Sequence, residues 1–102
     1  MNNKLLTLLG FAAKSGNLSY GLKAATFSAS IGKAELLIVC NDISEKSIKE
    51  VRFHAEKHKV RMMELKTIDT FALTNAVGRK CGVLSVNCSS FADAILNLGG
   101  NV

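Results

Sequence analysis

The sequence predicts an α/β protein, specifically a three-layer α/β/α sandwich with a small mixed sheet. Segments with apolar residues at helical spacing alternate with short β-prone runs, and the connections between them are short. The run Leu-Leu-Ile-Val-Cys at 36–40 is apolar throughout, which is typical of a central strand covered on both faces. The chain has 102 residues and no proline-rich linker, so we expect a single domain over residues 1–102.

Two helices are predicted before the central strand. Residues 3–13 have leucine and alanine at helical spacing, which favours a helix of the folded domain over a signal peptide. Residues 17–20 form a short extended piece. The helix at 21–31, which Gly32 ends, has apolar residues on two faces and is therefore expected to be packed on both sides. These two sets are Leu22, Ala25 and Ala29, and Ala24, Phe27 and Ile31.

A helix and an edge strand follow the central strand. Either Asp42 or Ser44 is expected to be the N-cap of this third helix, which runs to His58. Its inner face consists of Ile48, Val51 and Ala55. Residues 60–65 form a strand whose charged side chains place it at an edge of the sheet.

The last third of the chain contains a short helix, a strand and a final helix. Either Thr67 or Asp69 is expected to cap the short helix, and residues 83–86 form the strand. Either Ser89 or Ser90 is expected to cap the final helix. Its apolar stripe consists of Phe91, Ile95 and Leu98.

Positive charge is distributed unevenly along the chain. Residues 1–34 carry four lysines and no acidic residue, whereas acids and bases cancel within residues 35–69. The whole chain has a formal net charge of +5 and an isoelectric point near 9.3. A charge excess confined to particular segments predicts a polyanion as the binding partner.

The three cysteines are odd in number and irregular in spacing, which favours a reduced, cytoplasmic protein over a disulfide framework. Cys40 ends the central strand and is interpreted as a buried thiol, and Cys88 as a packing residue. Cys81 follows two basic residues, which would lower its pKa. No paired base for a nucleophile is identifiable, so an enzyme built on Cys81 is the least favoured of the functions considered.

His54 and His58 have the i, i+4 spacing of metal ligands on a helix. The helix around them is heavily charged, and the intervening glutamate is not where a zinc protease needs it, so a solvated face is the favoured interpretation. No metal ion, cofactor, membrane or small-molecule substrate is expected, and the sequence leaves the oligomeric state open.

A phosphate site is predicted where the second helix begins. Gly21 allows close approach of a nucleic acid backbone, and the N–H groups of the first helical turn carry a partial positive charge. Lys23 lies within that turn, and Lys14 ends the preceding helix. Ser15, Asn17 and Ser19 supply hydrogen-bonding groups nearby.

A second basic turn lies at 78–82, where Arg79 and Lys80 are flanked by glycines before the last strand. Taken alone, such a segment is an ordinary turn. If it lies at the same end of the sheet as Gly21, an RNA backbone can be held between the two turns.

Three segments resemble the kink-turn-binding ribosomal protein superfamily, the family of the archaeal seven-Ae and eukaryotic thirty-e large-subunit proteins. They are Gly21 at the helix start, the turn and strand at 32–42, and Leu-Thr-Asn-Ala-Val-Gly at 73–78. The Leu-Leu-Gly helix, Ser15-Gly16 and the final helix with Phe91 are most similar to the bacterial YlxQ-like branch. The resemblance covers nearly the whole chain and implies a non-enzymatic ribonucleoprotein component that binds structured RNA.

The chain departs from the family at the start of the second helix, where the family has Gly-x-Asn-Glu-x-x-Lys. Gly21 matches the glycine, but Lys23, Ala24 and Phe27 replace the three residues that contact the bent RNA. Lys23 neutralises a phosphate but cannot accept a hydrogen bond, and Ala24 reads no base. Phe27, at helical spacing from Ala24 and Ile31, is expected in the core.

The favoured function is therefore binding of structured RNA, with ribosomal RNA as one candidate, by shape and charge more than by base reading. The resulting set of expected RNA contacts is Lys14, Gly21, Lys23, Arg79 and Lys80. The alternative is a protein-interaction module that keeps this fold but has lost specific RNA readout.

Overall fold

The structure is a computed structural model that describes residues 3–98, so positions 1, 2 and 99–102 of the expected domain lie outside it. Within these residues, helices and strands follow the predicted order. They are α1 (Asn3–Lys14), β1 (Leu18–Tyr20), α2 (Leu22–Ser30), β2 (Leu36–Val39), α3 (Glu45–His58), β3 (Arg61–Glu64), α4 (Thr70–Val77), β4 (Val83–Val86) and α5 (Ser89–Leu96).

The four strands form one mixed sheet in the order β1-β4-β2-β3. β2 and β3 are parallel, with Leu36 opposite Arg61, while β4 runs antiparallel to both β1 and β2. β2 is buried along its whole length, and β3 lies at the edge, as the sequence predicted. The mixed sheet is thus confirmed.

Helices cover the sheet on both faces. Successive residues of β2 point to opposite sides, so that Leu36 and Ile38 belong to one core cluster and Leu37 and Val39 to the other. The first cluster contains apolar residues of α1, α4 and α5, and the second contains those of α2 and α3. This arrangement confirms the three-layer α/β/α sandwich.

Side-chain caps fix the starts of two helices. The Ser44 hydroxyl accepts a hydrogen bond from the Ser47 N–H and caps α3, and Asp69 does the same for α4. Asp42, the other candidate for α3, instead accepts from both the N–H and the hydroxyl of Thr70. Asp42 therefore ties the turn after β2 to the start of α4.

The predicted cap of the last helix is wrong. Ser89 and Ser90 already lie inside α5, and the N-cap is Cys88, whose backbone is extended with φ −130° and ψ 126°. The strand ends at Val86, so only two residues separate it from the helix. Ser89 and Ser90 therefore follow the N-cap position by one and two residues and cannot cap the helix.

The prediction that α2 is packed on both sides is also wrong. Phe27 is 62% exposed and Ile31 is 56% exposed, whereas Ala25 and Ala29 are buried. The buried side of α2 also contains the Ser28 hydroxyl, which hydrogen-bonds the Ser19 hydroxyl of β1 at 2.7 Å. Small side chains let the helix lie close to the sheet, and no further layer covers its outer face among the described residues.

None of the helices within residues 3–98 has the length and apolar character needed to cross a membrane.

Candidate nucleic-acid interface

The start of α2 and the basic turn at 78–82 lie at the same end of the sheet. The Gly21 N–H donates a hydrogen bond to the Val83 carbonyl oxygen, with an N···O distance of 2.8 Å. Val83 is the first residue of β4, and the turn at 78–82 leads directly into it. Antiparallel pairing of β1 with β4, which sets Tyr20 opposite Leu84, produces this meeting of two distant segments.

Gly21 has a backbone conformation that other residues avoid. Its φ of 93° and ψ of 163° lie in a region that is essentially restricted to glycine. A Cβ built at this position would meet no atom within 4 Å, so the space in front of the backbone is open. Gly21 is the N-cap of α2 and has no side chain to cap it, which leaves the first-turn N–H groups able to donate to an external anion.

Arg79 is oriented by an aromatic ring on β1. Its guanidinium carbon lies 4.8 Å from the centroid of the Tyr20 ring, in a cation–π contact. Burial raises the pKa of Tyr20, and the neighbouring Arg79 charge opposes part of that rise. The phenol therefore stays neutral near pH 7, and its ring serves as a platform for the guanidinium.

An open cleft of about 600 Å³ separates the two turns. We call it the Arg79 cleft, and its lining residues are Leu18, Ser19, Tyr20, Ala24, Arg79 and Lys80. Arg79 and Lys80 are exposed. The cleft thus combines two cations on one wall with the start of a helix on the other.

Lys23 and Lys14 are placed differently with respect to the Arg79 cleft. Lys23 is exposed in the first turn of α2, directly before Ala24 of the cleft wall. Lys14 lines a separate groove of about 500 Å³ between α1 and α4, together with Gly10 and Asn75. The structure therefore brings four of the five expected contacts to one region and leaves Lys14 outside it.

The expected hydrogen-bonding residues near Gly21 are already engaged elsewhere. The Ser15 hydroxyl donates to the carbonyls of Phe11 and Ala12, and the Asn17 amide nitrogen donates to Ser15. These hydrogen bonds lie at the C-terminal end of α1. The Ser19 hydroxyl, although it lines the cleft, accepts a hydrogen bond from the Asn87 amide at 2.9 Å.

The basic turn is held at both ends. Gly78 ends α4 with a φ of 81°, and its N–H donates to the Thr74 carbonyl oxygen at 2.8 Å. At the other end, the Gly82 carbonyl oxygen accepts from the Cys40 N–H at 2.9 Å, and a Cβ on Gly82 would collide with the Ile43 side chain. The two exposed cations between these ends are therefore presented by a fixed backbone.

Comparison with known proteins identifies the family. Residues 3–94 match the model of the ribosomal protein L7Ae/L30e/S12e/Gadd45 family. The chain belongs to this family. The resemblance inferred from the sequence is thereby confirmed, while assignment to the YlxQ-like branch stays a prediction.

Two solved structures share the fold of this family member. A protein of unknown function from Bacillus halodurans superposes with a TM-score of 0.86 and 21% identity, covering 91% of this chain and 93% of that one. The 15.5 kD RNA-binding protein of Giardia lamblia gives a TM-score of 0.78 and 20% identity, covering 95% of this chain and 82% of that one. No match was found among curated proteins.

Cys40 is a buried thiol, as the sequence predicted, whereas Cys81 differs from its sequence-based interpretation. Burial raises the pKa of Cys81 despite the opposing charge of Arg79, so the expected lowering is wrong. Burial also raises the pKa of Cys40 to about 12. Cys88 is half-buried, and the N–H groups of Phe91 and Ser90 at the start of α5 lower its pKa.

His54 and His58 stack on each other, with ring centroids 5.9 Å apart. Among residues 3–98, no three side chains of His, Cys, Asp or Glu cluster as metal ligands would.

The role of Tyr20 as the aromatic contact of Arg79 was not predicted from the sequence. Tyr20 directly precedes Gly21 in the basic first third of the chain, and an aromatic residue among lysines is a signal for nucleic-acid binding. Its partner Arg79 could not be identified from the sequence, because the contact joins segments 59 positions apart through the pairing of β1 with β4.

Proposed function

We propose that this family member is a non-enzymatic protein that binds structured RNA through the Arg79 cleft. The observation that carries the proposal is the meeting of Arg79 and Lys80 with the uncapped start of α2 at Gly21. Membership of a ribosomal protein family supports it, as does a structural neighbour named as an RNA-binding protein.

The cleft binds the sugar–phosphate backbone. Arg79, fixed over the Tyr20 ring, presents a planar guanidinium that pairs with phosphate oxygens in two parallel hydrogen bonds. Lys80 on the cleft wall, and Lys23 directly before the wall residue Ala24, neutralise neighbouring phosphates. The N–H groups that follow Gly21 donate to a further phosphate oxygen. Lys14, on its separate groove, contacts only RNA that extends beyond the cleft.

Recognition at this site depends on shape and charge. Neither Lys23 nor Ala24 can accept a hydrogen bond from a base edge, so these two positions lack the acceptor groups that read base-edge donors. A bent backbone places more phosphates within reach of both walls than a straight one. A kink-turn, in ribosomal RNA or another cytoplasmic RNA, is accordingly the ligand we propose.

The second candidate is a protein-interaction module of the same fold. Exposed phenylalanines favour it, because Phe11 on α1 is 55% exposed and Phe71 on α4 is 75% exposed. Both lie on helices of the layer that also holds Lys14. An affinity for RNA that does not respond to loss of Arg79 and Lys80 favours this candidate.

A gel-shift comparison tests the proposal. A kink-turn RNA and a straight duplex of the same length are titrated with the protein at low and at moderate salt concentration. We expect tighter binding of the kink-turn RNA, and a steep loss of affinity for both RNAs as salt rises. Equal affinity for the two RNAs would contradict recognition of the bend, and the absence of any shift would contradict RNA binding altogether.

A further inference from the structure

An exposed apolar strip runs along α2 away from the Arg79 cleft. It consists of Ala24, Phe27 and Ile31, which follow one another at three- and four-residue spacing on one side of the helix. Ala24 lines the cleft, and Phe27 lies three residues, about 4.5 Å along the helix axis, beyond it. The α2 strip is therefore continuous with the proposed phosphate-binding surface.

Packing in the hydrophobic core does not explain why residue 27 is aromatic. Its side chain is 62% exposed, and neither core cluster includes it. The buried side of α2 is formed by alanine and small hydroxyl residues, so the fold does not depend on the ring. On the next turn, the Ser30 hydroxyl donates a hydrogen bond to the Phe27 carbonyl oxygen.

The charge around the strip favours a nucleic acid over a protein as its occupant. Lys23 precedes Phe27 by one turn, Lys33 follows the end of α2, and residues 1–34 contain no acid. Exposed apolar surface with Lys23 and Lys33 near its two ends is suited to a ligand that combines flat apolar faces with negative charge. Unpaired nucleotides have this combination, and aromatic side chains beside basic residues are the usual platform for them.

We propose that Phe27 stacks on an unpaired nucleobase of the RNA whose backbone lies in the Arg79 cleft. This inference rests on the proposed function and specifies it: the ligand carries a bulged or otherwise unstacked nucleotide next to the bound phosphates. Since stacking needs only the face of a base, this contact discriminates paired from unpaired nucleotides without reading sequence. The aromatic ring thus supplies selectivity that Lys23 and Ala24 do not supply.

A double-mutant cycle tests the stacking contact. The three probes are an RNA hairpin with a bulge of unpaired adenosines, the same hairpin with abasic residues in the bulge, and a fully paired hairpin. Affinities are measured by fluorescence anisotropy for the wild type, Phe27→Ala and the matched control Phe53→Ala. Phe53 lies on α3 and is 58% exposed, so its loss removes an equally exposed ring from a different helix.

We expect Phe27→Ala to weaken binding of the adenosine bulge roughly tenfold and to leave the abasic and paired hairpins within about twofold. Phe53→Ala should bind all three hairpins like the wild type. Phe27→Trp should bind the adenosine bulge like the wild type. Because the chain has no other tryptophan, the fluorescence of this residue can be followed directly, and it should be quenched by the adenosine bulge but not by the abasic one. Circular dichroism establishes that each variant is folded.

Other results overturn the inference in distinguishable ways. An equal loss of affinity on adenosine and abasic bulges would mean that the ring acts without a base. Unchanged binding by Phe27→Ala, with weakened binding by Arg79→Ala, would leave the proposed function standing and favour a protein contact at the strip. Unchanged binding by both variants would overturn the inference and the proposed function together.

Discussion

Removing the two cations of the basic turn should change the salt dependence of RNA binding by a definite amount. Each neutralised phosphate contributes about 0.9 to the slope of log affinity against log salt concentration. Because Arg79 and Lys80 are both exposed on the cleft wall, Arg79→Ala with Lys80→Ala should reduce the slope by about 1.8. Between about 50 and about 200 mM salt, the wild type should lose roughly twelvefold more affinity than the double variant.

Fluorescence anisotropy with a labelled structured RNA over a series of salt concentrations measures both slopes. The matched control is Lys57→Ala with Arg61→Ala, which also removes one lysine and one arginine. Arg61 lies opposite Leu36, at the end of the sheet away from the Val39–Val83 pair beside the cleft. A slope that falls equally in the control, or that does not fall in Arg79→Ala with Lys80→Ala, would refute the assignment of the phosphate contacts.

Three further outcomes are expected. Tyr20→Ala should weaken RNA binding about two- to fivefold because Arg79 loses its platform, whereas Tyr20→Phe keeps the ring and should bind like the wild type in the same assay. Gly21→Ala should lower the free energy of unfolding by about 1–3 kcal/mol, since alanine is strained at a φ of 93°; an unchanged urea midpoint would contradict this. Iodoacetamide should alkylate Cys88 first and Cys40 last near pH 8, because a thiol reacts as its thiolate and only Cys88 has a lowered pKa among these thiols. Mass spectrometry of the alkylated peptides gives the order, and earlier modification of Cys81 would contradict the burial argument.

The elements of the fold were predictable because local patterns and burial agree. The uninterrupted apolar run of β2 identifies the central strand, and both of its faces are indeed covered. The charged strand β3 lies at the edge for the reason the sequence suggested. Such features depend on the alternation of side chains along one segment, which is visible without knowledge of its neighbours.

The orientation of α2 could not be obtained in the same way. Both faces of the helix are apolar, and periodicity alone does not determine which of them packs on the sheet. On the buried side, the Ser28 hydroxyl also hydrogen-bonds the Ser19 hydroxyl of β1, a contact between separate elements that periodicity does not reveal. The face with the small residues is buried, and Phe27 is left exposed.

The two segments of the candidate site were predictable from the sequence, but their proximity in the fold was not. A glycine at a helix start and a basic turn are local signals, and both were identified. Their meeting depends on the register of β1 with β4, and the contact of Arg79 with Tyr20 depends on it as well. Lys14, which adjoins this region in the chain, lies on a different groove because α1 packs against α4.

Under the proposed function, two turns that are distant in the chain bind one RNA backbone between them. Titration of ¹⁵N-labelled protein with a kink-turn RNA, followed by amide chemical-shift mapping, tests whether both turns take part. We expect the largest shifts to fall jointly on residues 20–24 and 78–82. Shifts confined to β3 and the end of α3, or to only one of the two turns, would contradict it.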